Sequence, residues 1–191
     1  MPAPRILAFA GSVRKDSWNR KVLEIAASGA RAAGAEVMVI NLADYPMPLY
    51  DADWEAIHRL PEGTKRLQEV MATHHGYLIA CPEYNSSITP LLKNTIDWTT
   101  RGPDGRGNLQ YWHGRTAGLV AASGGALGGL RVLRHVREIL GNIGVLVIPD
   151  QRAASGVDKV FDAEGRMTDD RLRQGLEAVG ARLAQVTAKL L

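Results

Sequence analysis

Short apolar runs alternate with longer segments of helical period along the whole chain. Ile6–Ala10 is unbroken apolar and reads as a first strand, followed by a helical pattern from about Ser17 to Ala33 that stops at Gly34. Val37–Ile40 reads as a second strand, and Leu42–Asp51, with Pro46 and Pro48, as a loop. A helical pattern from about Glu62 to Thr73 puts Leu67, Val70 and Met71 on one face, Tyr77–Ala80 is a third strand, and a helix runs from near Thr89 to about Thr100. The Gly-rich stretch Arg101–Gly114 reads as an exposed loop and Ala117–Ala122 as a fourth strand. A helix from about Leu127 to Leu140 ends at Gly141, and Val145–Ile148 is a fifth strand. The last helix, about Asp169–Lys189, repeats Leu172, Leu176, Val179, Leu183, Val186 and Leu190 at spacings of three and four, one apolar face.

Strands that are apolar at nearly every position belong to a parallel sheet covered on both faces. Parallel neighbours need crossover helices, and right-handed crossovers leave few topologies. The expected fold class is α/β: a flavodoxin-like three-layer sandwich whose five-stranded parallel sheet has the order 2-1-3-4-5. The 191 residues contain no linker-like stretch and no internal repeat, so 1–191 is expected to form a single domain.

Composition narrows the classes further. A net charge of +3, with basic and acidic residues interleaved, gives no nucleic-acid footprint. The N-terminal apolar run is too short for a signal core or a membrane span, so a cytoplasmic protein without membrane association is expected. A single cysteine, Cys81, excludes an internal disulfide and a zinc site built on several thiolates. The five histidines (58, 74, 75, 113 and 135) lack metal-ligand spacing, and His74-His75, at a helix end, is read as solvated.

In such a sheet, ligands bind beyond the carboxyl ends of the strands where strand order reverses. The loops after strands 1, 3 and 4 therefore converge on one crevice, and all three are unusual. After strand 1, Gly11-Ser12-Val13-Arg14-Lys15-Asp16-Ser17-Trp18-Asn19 opens a helix. The free N–H groups there, the hydroxyls of Ser12 and Ser17, the Asn19 amide and the Arg14 fork make a cradle for a terminal phosphate. The alternative is a plain helix cap. The dinucleotide fingerprint G-x-G-x-x-G and the P-loop pattern are both missing, which disfavours a resident dinucleotide or an ATPase.

After strand 3, Cys81-Pro82-Glu83-Tyr84-Asn85-Ser86-Ser87 offers a stiff backbone to the edge of a heterocycle, with Tyr84 and Asn85 as cover and polar contacts; a surface turn is the alternative. After strand 4, Ser123-Gly124-Gly125-Ala126-Leu127-Gly128-Gly129 lets backbone approach a ligand closely, or merely connects. Cys81 at a strand end evokes a phosphatase nucleophile, but 82–88 holds no arginine, so it reads as a buried thiol. Arg131, Arg134 and Arg137 form a stripe read as solvated, subunit-facing or available to a nucleotide phosphate.

These residues carry a family resemblance. Gly-Ser-x-Arg-x-x-Ser-x-Asn at 11–19 resembles the first signature of the NADPH-dependent FMN reductase family. Pro82-Glu83-Tyr84-Asn85 followed by Leu92-Lys93-Asn94-Thr95-Ile96-Asp97-Trp98 resembles the second, and Ser123-Gly124-Gly125 with Gly128-Gly129-Leu130-Arg131 the third. The resemblance spans about residues 5–185 and is nearest to bacterial quinone, chromate and azo-dye reductases. It implies FMN as cofactor, NADPH or NADH as electron donor, and a homodimer or homotetramer with flavin near a subunit interface. It implies that Ser12, Arg14, Ser17 and Asn19 hold the FMN phosphate and ribityl chain, that Pro82, Glu83, Tyr84 and Asn85 lie along the ring, and that Ser123, Gly124 and Gly125 form a third wall. Ile88-Thr89-Pro90-Leu91 departs from a Pro-Gly pair frequent in relatives, and the 101–114 loop with Tyr111, Trp112 and His113 is a variable region, so both bear on acceptor choice.

The implied activity is an oxidoreductase passing hydride from a nicotinamide through FMN to a quinone or similar small acceptor. Such chemistry belongs mainly to the cofactor, so no catalytic side chain is assigned. The alternatives are a flavodoxin-like electron carrier, against which the net basic charge speaks, and a non-catalytic flavin-binding sensor.

Overall fold

The computed structural model describes residues 2–191. Along the chain run β1 (Arg5–Ala10), α1 (Trp18–Ala32), β2 (Glu36–Val39), α2 (Ala52–His58), α3 (Glu62–Ala72), β3 (Gly76–Ala80), β4 (Glu83–Tyr84), β5 (Ser87–Ile88), α4 (Pro90–Thr99), β6 (Thr116–Ala122), α5 (Leu130–Asn142), β7 (Leu146–Ala154) and α6 (Asp170–Lys189). The five strands of the main sheet are all parallel, in the order β2-β1-β3-β6-β7, which is the expected 2-1-3-4-5.

Alternation along each strand assigns side chains to two layers. Ile6, Ala8, Leu78, Ala80 and Val120 face α1 and α6 with Val22, Leu23, Leu176 and Leu183. Leu7, Phe9, Ile79, Leu119 and Ala121 face the other layer with Leu67, Leu92, Ile96, Val132 and Val136. Both faces of β1, β3 and β6 are thus dry, which is why their sequences read as continuous apolar runs.

Several elements differ from the sequence expectation. Residues 82–88 form a two-stranded antiparallel hairpin rather than an open loop, with Asn85 and Ser86 at its tip in the left-handed region (φ 49° and 68°). Two such residues in succession are the signature of a type I′ turn. The fifth strand does not stop at Ile148. It runs to Ala154 because one residue of β6, Gly118, is passed by three of β7, Ile148 to Asp150, between the pairs Ala117–Val147 and Leu119–Gln151. Pro149, which has no N–H to give, sits in this bulge. Arg137 from α5 donates to the carbonyls of Val147 and Ile148 at 3.1 and 2.8 Å. Arg137 is therefore a structural tie, whereas Arg131 and Arg134 remain solvent-exposed, Arg134 pairing with Glu138 on its own helix at 3.1 Å and Arg131 pairing with Glu83. His74 is buried, with Nδ1 2.7 Å from the Val70 carbonyl, and burial lowers its pKa; the expected solvated histidine is corrected accordingly.

Helices α1 and α6 cross at two glycines. A Cβ on Gly180 would collide with the Ala26 carbonyl, and one on Gly29 with the backbone of Glu177. Gly180→Ala is expected to destabilise the fold by about 1–3 kcal/mol through overpacking, read as a lower denaturation midpoint in urea with an unchanged slope.

Candidate active site

Three neighbouring strands, β1, β3 and β6, end at the same edge, and side chains lock their loops together. Asn19, in the first turn of α1, is buried. Its amide donates to the Ala122 carbonyl at 2.9 Å and accepts from the Ala122 N–H at 3.0 Å, so the phosphate loop is fastened to the end of β6. Thr89 is the second fastener. Its hydroxyl donates to the Gly11 carbonyl at 2.9 Å and accepts from the Leu92 N–H at 3.3 Å, capping α4 while holding the start of the phosphate loop. Gly11 is required at this crossing, because a Cβ there would press on Leu92 Cβ and Thr89 Oγ1.

The donor set at the phosphate loop suits an anion. Ser17 is the N-cap residue of α1, yet its side chain caps nothing, and no acidic residue occupies the first turn. The Trp18 and Asn19 amides find no acceptor among the described residues. By contrast Asp51, Thr89 and Asp169 cap α2, α4 and α6 with side-chain oxygens. Ser12 accepts from the Arg14 N–H at 3.4 Å and bends the loop, while Arg14 is exposed with no ion-pair partner among the described residues. An uncapped helix start with free amides, two hydroxyls and a free guanidinium fits a phosphate monoester.

The hairpin is clamped to α5. The Glu83 carboxylate pairs with Arg131, Nε lying at 2.7 Å, and Oε2 accepts from the Val132 N–H at 3.2 Å. Gly129, the N-cap of α5, has no side chain to cap with, so Glu83 serves that helix start from another element. Ser87 and His135 Nδ1, 3.0 Å apart, form a second link. Of the sequence candidates, Asn19 and Glu83 thus have their polar side-chain atoms engaged within the protein. Ser12, Arg14, Tyr84, Asn85, Ser123, Gly124 and Gly125 remain at the exposed or half-exposed rim, and Ser17 and Pro82 are buried beneath it.

The second half of the middle motif is structural. Asn94 and Trp98 both donate to the Pro48 carbonyl, at 2.8 and 2.7 Å, and Asn94 accepts from the Tyr50 N–H at 2.8 Å. They hold the segment leading to α2, which Arg101 secures through the buried Glu55. Sequence reading also missed a fourth loop, after β7. There Phe161 stacks on Trp18 (centroids 5.2 Å apart), and Asp158 lies next to Gly124. Trp18 inside the first motif was the available signal. Cys81 is fully buried, and burial pushes its thiol pKa far up, as expected of an inert core thiol.

An uncapped helix start beside two loops that present backbone, all at the reversal of strand order, is the arrangement of a flavodoxin-like fold at its ligand edge. The comparisons with known proteins give the family. The chain belongs to the NADPH-dependent FMN reductase family, whose sequence model matches residues 4–159. It is 34% identical to an NAD(P)H-dependent FMN reductase of Pseudomonas aeruginosa, over 89% of this chain and 88% of that one. It is 32% identical to a quinone reductase of Escherichia coli, over 95% and 96% of the two chains. Among solved structures, the flavoenzyme NAD(P)H:(acceptor) oxidoreductase FerB of Paracoccus denitrificans superposes with a TM-score of 0.81, at 24% identity over 97% and 98% of the two chains, a likeness of fold. Membership makes this protein an oxidoreductase that works with FMN and a reduced nicotinamide nucleotide.

Two outcomes follow from the geometry. Glu83→Ala is expected to cost about 0.5–2 kcal/mol as the loss of a helix cap, whereas Asn19→Ala orphans two buried backbone groups at roughly 1–3 kcal/mol each; urea titration ranks the two. Cys81 should resist a thiol-titrating disulfide reagent at pH 8 and react with one equivalent only after unfolding.

Proposed function

We propose that this protein takes reducing equivalents from NADPH or NADH by way of FMN and delivers them to a quinone or similar small acceptor such as chromate or an azo dye. The reading rests on one observation: Asn19–Ala122 and Thr89–Gly11 hold three ligand-type loops at a single edge of the sheet. Bound FMN supplies the hydride-accepting ring. The chain's own residues hold and orient it. Ser12, Arg14, Ser17 and the first amides of α1 bind the phosphate, with Asn19 setting their positions. The main chain of Pro82–Asn85 runs along the ring edge, with the Tyr84 and Asn85 side chains beside it and Glu83 anchoring the hairpin from behind. Ser123, Gly124 and Gly125 close the third side with backbone.

No dedicated acid or base is assigned, because hydride exchange at an accessible ring calls on position more than on proton transfer. We place the whole chain, 1–191, in one FMN-binding domain acting in the cytoplasm as a homodimer or homotetramer. The outer faces of α4 and α5 are the proposed contact, a groove lined by Lys93, Ile96, Asp97, Glu138 and Ile139. Light scattering on the FMN-loaded protein checks the assembly, a monomer being the result against it.

The purified protein should be yellow, bleach on anaerobic NADPH addition, and recover colour with a quinone while NADPH oxidation continues in steady state. Colourless protein without FMN affinity would overturn the reading. Arg14→Ala should weaken FMN binding about 10–100-fold, the worth of a hydrogen bond to a charged group, measured by flavin fluorescence quenching.

A further inference from the structure

A cleft of about 620 Å³ opens between the first turn of α1 and the residues that follow β2. Because β2 and β3 flank β1 on opposite sides, it lies across the phosphate loop from the hairpin and from Ser123–Gly125. Its volume is that of a cofactor or small-molecule site. Ser12 and Ser17 line it as well, so it is continuous with the phosphate cradle.

The cleft is polarised. On the α1 side it is lined by Lys15, Arg20 and Lys21, none ion-paired among the described residues, and by Glu24, whose carboxylate is paired with Arg31 at 3.6 Å. The Lys21 ammonium lies 4.5 Å from the Trp18 ring centroid and 5.3 Å from that of Phe161, which hold its stem in place. The other side is formed after β2. Asn41 accepts there from the Ala43 N–H at 3.1 Å, leaving its amide N–H groups without a partner among the described residues. Tyr45 is backed by the Arg66 guanidinium at 5.4 Å, and the Asp44 carboxylate has no ion-pair partner among the described residues. Ala10, Val39, Ile40 and the exposed Met38 add apolar surface to the lining. Cations on the α1 side, apolar surface, and an aromatic ring with hydrogen-bonding groups on the β2 side match the polarity of a nucleoside phosphate.

We infer that this cleft binds the adenosine-phosphate half of a dinucleotide. That half comes either from FAD, seated with its flavin half in the FMN position, or from the nicotinamide donor. Its continuity with the flavin rests on the reading of residues 11–19 as the FMN-phosphate cradle; the cleft itself does not.

The test uses calorimetry on wild type, Met38→Trp and Arg20→Ala, both positions being exposed, with circular dichroism to verify folding. Flavin-free protein is titrated with FMN and with FAD, and FMN-loaded protein with ADP and with 2′,5′-ADP. FAD binding within about tenfold of FMN assigns the cleft to the flavin's own adenylate. Weak FAD but saturable ADP assigns it to the donor, and tighter 2′,5′-ADP then sets a preference for NADPH. In either case both variants should weaken the nucleotide about 10–100-fold while moving FMN affinity less than about threefold. The inference is overturned if neither FAD nor ADP binds, if Met38→Trp leaves their binding unchanged, or if Met38→Trp weakens FMN as much. ADP is also titrated into flavin-free protein, where failure of the FMN reading looks different: FMN does not bind, yet ADP binds in a manner sensitive to both variants.

Discussion

The site depends on two backbone carbonyls and one backbone N–H being held by side chains from distant parts of the chain. Asn19 satisfies both polar groups of Ala122, and Thr89 satisfies the carbonyl of Gly11. Parallel strands order themselves through the sheet ladder, but the ladder ends where the loops begin. Beyond it, buried peptide groups need other partners. Supplying them with an amide and a hydroxyl fixes the relative heights of three loops at once. Beside these bonds the first amides of α1 stay free, because Ser17 makes no side-chain cap, and a free helix start suits an anion.

The hairpin uses the same economy. A two-residue I′ turn with Asn85 and Ser86 at positive φ has little stability alone. It gains it from Glu83, which replaces the cap that Gly129 cannot provide and pairs with Arg131. One carboxylate thereby couples the ring-edge loop to the helix that follows the glycine-rich wall. Two sides of the site are tied together, which suits a protein whose chemistry is set by how a cofactor is positioned.

Electrostatics gives the edge a direction. The cations of 14–21 gather around an uncapped helix start, and the acid that would ordinarily occupy a first turn is missing there. From that centre the surface divides into a side over β3 and β6, where the flavin is proposed to sit, and a cleft toward β2 lined by Lys15, Arg20 and Lys21 from the α1 side and by Asn41 and Tyr45 after β2.

Sheet order and the three-layer architecture were legible in the sequence, because they follow from local pattern: apolar runs buried on both faces and helical periods between them. Local pattern fails where a residue's role is set by a partner far along the chain. Asn19 and Glu83 are expected beside the cofactor, and what the sequence does not show is that their polar atoms bind Ala122, Arg131 and Val132, 103 to 48 residues away. Arg137 read as solvated, yet it serves carbonyls freed by a bulge at Pro149 that ended the strand for any sequence rule. The β2-side cleft shares Ser12, Lys15 and Ser17 with the first motif, but its far wall after β2 carried no motif, since helix face and strand end meet only in space. The sequence by itself determined the five strands of the main sheet, their order and the long helices between them, for burial and turn propensity act over a few residues. Tertiary structure alone decided which polar side chains remain for a ligand, because hydrogen-bond satisfaction is settled only when distant groups are brought to within 3 Å or so of one another.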